Sequence, residues 1–202
     1  MTDAHNPAEP SPEFKDAFSE IVNIGVGRAA GVLNQMISSK ITLRVPKVEI
    51  IDQKDLPQKM GELGNKNLAT IGMSVTGDIA GMASLLFMPD GASKLVSLLT
   101  GQPQDSPDLD ALKMETLNEV GNILINGVVG TLANICGMRL NYSVPNYREG
   151  SIGDVFNITD AGRVISIHTA FDVKEHLIEG RILLLFNLGA IDNLIAAINK
   201  TR

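Results

Sequence analysis

Two stretches of this 202-residue chain carry similar polar side chains at the same spacing. Asp16, Glu20, Asn23 and Gly27 follow one another at intervals of four, three and four, and Glu115, Glu119, Asn122 and Asn126 repeat those intervals. On a helix that spacing stacks the four positions along one face. Phe18, Ile21 and Val22 in the first stretch, and Leu117 and Val120 in the second, then turn toward a core. A carboxylate on such a stripe accepts charge-assisted hydrogen bonds from a cation. A carboxamide donates and accepts hydrogen bonds but has no pKa usable for proton transfer, so it is no general base. Asn is also a poor residue inside a helix, because its side chain competes for backbone hydrogen bonds. An exposed Asn at the same place in both stretches costs stability twice, which points to a role beyond helix formation. A solvated, dipole-matched face is the competing explanation. It suffices for Asp16 and Glu115, but it gives no reason for the same Glu and Asn to return after 99 positions.

The elements that must position these side chains also come in two copies. At a constant offset of 99, Glu20 pairs with Glu119, Asn23 with Asn122, Ile24 with Ile123, Gly31 with Gly130, Leu33 with Leu132 and Pro46 with Pro145. The register persists to Thr70 and Thr169, Gly81 and Gly180, Leu85-Leu86-Phe87 and Leu184-Leu185-Phe186, and Leu95 and Leu194. So many identities at one ungapped offset indicate a tandem duplication. Each half opens with a long helical pattern, at 12–38 and 108–137. Alternating, β-branched segments follow at 40–52, 68–75 and 82–88, then at 139–144, 164–173 and 181–186, giving six strands. A short amphipathic helix closes each half, at 91–99 and 190–199. Residues 101–107, with two prolines, read as a linker, and residues 1–11 as a mobile N-terminal tail. Halves of this size bury too little surface to stand alone. The expectation is one α+β body over 12–202, made of repeats 12–100 and 108–202 about a pseudo-two-fold axis. With helices before and after the strands instead of between them, its sheet should be largely antiparallel.

Composition narrows the function classes. Lys plus Arg at 17 against Asp plus Glu at 23 leaves a net charge of −6, with no cationic excess for nucleic acid or an anionic membrane. The single cysteine, Cys136, and the absence of a secretory pattern at 1–14 indicate a reducing cytoplasm. Cys136 lies at an apolar helix end and reads as a small hydrophobe, not a nucleophile. Residues 120–138 lack charge and are long enough to span a bilayer, but Asn122, Asn126, Asn134 and four glycines make a buried helix the better reading. His5, His168 and His176 form no metal-ligand pattern, and no metal is expected. The glycines at 25, 27 and 31 follow no strand, so they suggest close helix packing and not a nucleotide loop.

Asp16-x3-Glu20-x2-Asn23 followed by Pro46, and Glu115-x3-Glu119-x2-Asn122 followed by Pro145, resemble the doubled active-site motif of the CheC, CheX and FliY phosphatases of chemotaxis. The likeness is closest to CheC, runs from about residue 14 to the C-terminus, and includes the Asn-Ile-Gly-x-Gly segment at 23–27. No C-terminal flagellar-switch domain follows, which argues against the FliY branch. The resemblance implies dephosphorylation of a CheY-type response regulator, whose receiver domain holds a phosphoryl group on an aspartate beside Mg²⁺. It implies that Asn23 and Asn122 hold the attacking water in line with phosphorus, as a Gln does in some GTPases. Glu20 and Glu119 would anchor the receiver through its active-site lysine, with Asp16 and Glu115 as further partner-binding positions. Metal and phosphoryl group would come with the substrate, leaving this chain no cofactor of its own. The alternative is a non-catalytic adaptor for a receiver or for a CheD-type deamidase. Two departures from the family pattern set the sites apart: Glu115 stands where Asp or Ser is usual, and Arg28 places a cation near the first site.

Overall fold

The computed structural model describes residues 11–36, 40–104, 106, 109–156, 163–173, 176–186 and 190–200. Residues 1–10 of the tail expected at 1–11, positions 105 and 107 of the expected linker, and the helix positions 37, 38 and 108 lie outside them.

The first long helix, α1 (Pro12–Met36), starts where its sequence provides a cap. The backbone N–H of Phe14 donates to Ser11 Oγ at 3.2 Å, and Pro12 occupies the first helical position, where a missing N–H costs nothing. Ser11 thus belongs to the helix start and not to the tail. Phe14, Phe18, Ile21, Val22, Val26, Ala29 and Leu33 recur at helical spacing and are all buried. At the far end Asn34 accepts from the Ile41 N–H at 2.5 Å and donates to its carbonyl at 2.9 Å. That pair of bonds ties α1 to the next element, β1 (Ile41–Asp52).

The remaining elements follow in the expected order with additions. After β1 come two 3-10 turns around α2 (Leu56–Lys59), then β2 (Leu68–Gly77), β3 (Gly81–Phe87) and α3 (Pro89–Thr100). The second half supplies α4 (Leu109–Cys136), β4 (Leu140–Tyr142), β5 (Asn146–Gly150), α5 (Ile152–Val155), β6 (Arg163–Val173), β7 (His176–Phe186) and α6 (Ala190–Lys200). Seven strands therefore form the sheet, not six. The segment expected at 139–144 forms β4 over Leu140–Tyr142, and an additional strand, β5, follows Pro145, which has no N–H to give a ladder. Both pieces pair with β2. In β1 the matching Pro46 is absorbed within one continuous strand by a register irregularity between Arg44 and Lys47.

Every pairing is antiparallel, in the order β1-β6-β7-β3-β2-β4, with β5 beside β2. The central β3–β7 pair sets Gly81 opposite Phe186, Phe87 opposite Gly180 and Ser84 opposite Leu183. Exchanging each residue for the one 99 positions away reproduces that register. The outer pairs do not share it: Ile41 faces Val173, whereas Leu140 faces Gly77 where the offset would bring Ser74.

One face of the sheet, with Ile71, Met73, Leu85, Phe87, Ile165, Ile167, Phe171, Ile182 and Leu184, lies under α1, α3, α4 and α6 in a single core. The other face is covered by short segments: Leu68, Leu86, Val164, Leu183 and Leu185 pack against Leu56 and Met60 and against Ile152 and Phe156. The two long helices meet where side chains vanish. A Cβ on Gly25 would stand 2.6 Å from the Gly127 carbonyl oxygen, and one on Gly127 would stand 2.8 Å from that of Gly25. Gly25 fits the close-packing expectation; Gly27 and Gly31 have nothing within 4 Å.

Candidate functional site

The first stripe is a solvent-facing row on α1. Asp16, Glu20, Asn23 and Gly27 are all exposed, because Phe18, Ile21, Val22 and Val26 between them face the core. Among the described residues, Asp16, Glu20 and Asn23 have no hydrogen-bond or ion-pair partner. Their polar groups are thus available to an incoming surface. Beside Asn23 the apolar side chain of Ile24 is also exposed, at 41%. Arg28, expected to bring a cation to this site, instead reaches across the helix interface, its Nη1 donating to Thr131 Oγ1 of α4 at 3.4 Å. That bond spends part of its donor capacity on joining the helices.

The second stripe, on α4, is similar in outline and different in detail. Glu115 and Glu119 are exposed, as expected, but Asn122 and Asn126 are half-buried. Asn126 Nδ2 donates to Asn122 Oδ1 at 2.7 Å. One turn earlier on the same face stands Asn118, whose buried Oδ1 has no hydrogen-bond partner. The i,i+4 spacing of these amides is visible in the sequence, but their hydrogen bond depends on side-chain rotamers and burial, which spacing does not specify.

The start of α4 is pinned to the sheet. Lys113 Nζ lies 2.9 Å from Glu149 Oε1 on β5, and the Tyr147 hydroxyl donates to the same carboxylate. These hydrogen bonds hold the Glu149 carboxyl below its ordinary range, the Tyr147 bond contributing most. At the other end, the Arg139 N–H donates to Asp78 Oδ2 at 2.8 Å, fastening the helix exit to the β2–β3 turn. A helix held at both ends presents its surface residues in one orientation, which is what a positioning site needs.

Other sequence-derived candidates carry no comparable arrangement. Cys136 is half-buried, and desolvation pushes its thiol pKa up, away from thiolate reactivity. His168 Nε2 lies 3.3 Å from Glu49 Oε2 across the β1–β6 pair, and His176 opens β7; His5 is outside the described residues. Among the described residues no three His, Cys, Asp or Glu side chains converge on a point that could hold a metal ion. The window Ala111–Cys136 is long and apolar enough to cross a membrane, and half of it is buried inside this fold.

No family model matches the chain. The CheY-P phosphatase CheC of Bacillus subtilis (strain 168) is 28% identical over 148 residues, covering 72% of this chain and 70% of that protein. Among solved structures, Thermotoga maritima FliY aligns with a TM-score of 0.73 at 20% identity, over 95% of this chain and 98% of its own. A chain of the CheX–CheY–BeF3–Mg²⁺ complex of Borrelia burgdorferi aligns at 0.56 and 16% identity, over 84% and 99%. The FliM middle domain of H. pylori aligns at 0.63 and 13% identity, over 93% and 99%. At these identities the structural matches show a shared fold.

Proposed function

We propose, from the premise that the chain belongs to the CheC, CheX and FliY family, that it hydrolyses the aspartyl-phosphate of a CheY-type receiver domain. The observation that carries the reading is the exposed Glu20–Asn23 pair on α1, matched on α4 by the exposed Glu119 and the half-buried Asn122. The Bacillus subtilis relative is named a CheY-P phosphatase, and the Borrelia burgdorferi structure is a complex of CheX with CheY, which supports the choice of partner. The sheet register about Ser84 and Leu183 supports descent of the two halves from one duplicated unit, each contributing one site.

The chemistry needs little from this chain. The receiver brings the phosphoryl group and the Mg²⁺ that neutralises its charge. Glu20 or Glu119 anchors a receiver cation through a charge-assisted bond, with Asp16 or Glu115 extending the acidic contact. The amide of Asn23 or Asn122, one helical turn away, then accepts a hydrogen bond from a water and aligns it with phosphorus. Orientation, not proton abstraction, is the contribution. A cytoplasmic setting fits the partner and the single thiol.

The test follows the decay of a phosphorylated CheY-type receiver with wild-type protein, Asn23→Ala, Asn122→Ala and the double variant. Each single variant should lose part of the acceleration, and the double variant should lose about 10²-fold of it with its melting curve unchanged. Full acceleration by the double variant would sink the catalytic reading. The second reading, a non-catalytic adaptor for a receiver or a CheD-type deamidase, draws on the fold shared with the FliM middle domain. Receiver binding without any acceleration by the wild type would select it.

A further inference from the structure

The stripe on α4 contains a contact that the phosphatase reading leaves without a role. Asn126 Nδ2 donates to Asn122 Oδ1 at 2.7 Å, while the Oδ1 of Asn126 is buried with no hydrogen-bond partner. A buried orphan acceptor costs folding free energy, so stability does not account for an amide at this position. The equivalent position on α1 is Gly27, exposed and with open space where a Cβ would stand. Asn23 consequently has no neighbouring amide one turn on.

The terminal torsion of an Asn side chain is soft and roughly two-fold, so an exposed carboxamide presents either its oxygen or its nitrogen to a bound water. A hydrogen bond from the following turn removes that freedom. In Asn122 one lone pair of Oδ1 is committed to Asn126, and the other remains for a water in a single defined direction. We propose that Asn126 is a positioning residue that fixes the Asn122 carboxamide before the receiver arrives, making the α4 site pre-organised and the α1 site adjustable. This inference rests on the phosphatase reading and adds to it that the two sites differ in the turnover step itself.

The experiment isolates each site. In an Asn23→Ala background only α4 acts, and adding Asn126→Ala should lower the saturating dephosphorylation rate about tenfold with the half-saturating receiver concentration unchanged. Asn126→Gln, which can still donate to Asn122, should restore most of that rate. Reciprocally, in an Asn122→Ala background, Gly27→Asn should raise the saturating rate of the α1 site. Thermal midpoints should not fall for Asn126→Ala, since it removes the orphan acceptor. An unchanged saturating rate for Asn126→Ala overturns the inference, as does a loss that tracks a falling folded fraction. If Asn23→Ala with Asn122→Ala retains acceleration, the phosphatase reading itself fails; if that pair is inactive while Asn126→Ala is fully active, only the positioning role fails.

Discussion

Glu20 and Glu119 are exposed carboxylates one turn before their amides, and neither has an internal partner among the described residues. In the proposed phosphatase, that arrangement would separate recognition from reaction along one helix face: a carboxylate that pairs only with an incoming receiver would contribute to association, and the amide would act on the water in the transition state. Replacing both, Glu20→Gln with Glu119→Gln, should raise the half-saturating receiver concentration about tenfold, the scale of one charge-assisted hydrogen bond, and leave the saturating rate within twofold, roughly. Added salt should raise the wild-type half-saturating concentration more than that of the double Gln variant, because exposed charges are screened. Both follow from titrating receiver concentration at two ionic strengths. A saturating rate that fell with unchanged half-saturation would place these carboxylates in the chemical step instead. At this scale the acidic and amide stripes were legible in the sequence because a helix has a fixed period. The Asn122–Asn126 bond and the turning of Arg28 toward Thr131 were not, since rotamer choice depends on what surrounds each side chain.

The helices that carry the stripes meet at Gly25 and Gly127, and the neighbouring Gly27 serves as an internal control. A methyl on Gly25 would lie 2.6 Å from the Gly127 carbonyl oxygen and 2.8 Å from Val128 Cα, both backbone atoms that cannot swing aside. Gly25→Ala should therefore cost about 1–3 kcal/mol by forcing the helices apart. Gly27 meets nothing within 4 Å on an exposed face, so Gly27→Ala should gain about 0.5–1 kcal/mol from helix propensity alone. Urea midpoints of the two variants, moving in opposite directions, check both statements. The crossing could not be read from the 99-residue offset, because that offset does not bring Gly25 and Gly127 together; 99 positions on from Gly25 stands Leu124. Strand β5 escaped for a related reason. Asn146–Gly150 is polar apart from Tyr147 and has no apolar alternation, and what makes it a strand is backbone pairing with β2. The short helix α2 escaped because Leu56, Met60 and Leu63 mark a covering for the sheet's second face only once that face exists.

Sheet order decides how the whole molecule behaves. β1, from the first half, pairs with β6 of the second, β4 and β5 pair with β2, and the centre joins β3 to β7. Each half keeps one hairpin, β2–β3 or β6–β7, but gives its remaining strands to the other half: β1 is not beside β2, and β4 and β5 are not beside β6. The core is shared in the same way, with Phe14 and Phe18 from one half and Leu124 and Val128 from the other in one cluster. Losing either half would strip the other of ladder hydrogen bonds and of cover for its apolar face together. Unfolding should accordingly be a single transition in which the calorimetric and van't Hoff enthalpies agree, near ~140 kcal/mol at about 60 °C for a chain of this length. Two resolved heat-capacity peaks, or a van't Hoff enthalpy near half the calorimetric one, would show that the halves melt separately. Cooperative unfolding also couples the sites. A substitution such as Gly25→Ala, which loosens α1 against α4, lowers the folded population that carries both stripes, so temperature should switch off the α1 and α4 sites at one midpoint when each is assayed with the other disabled.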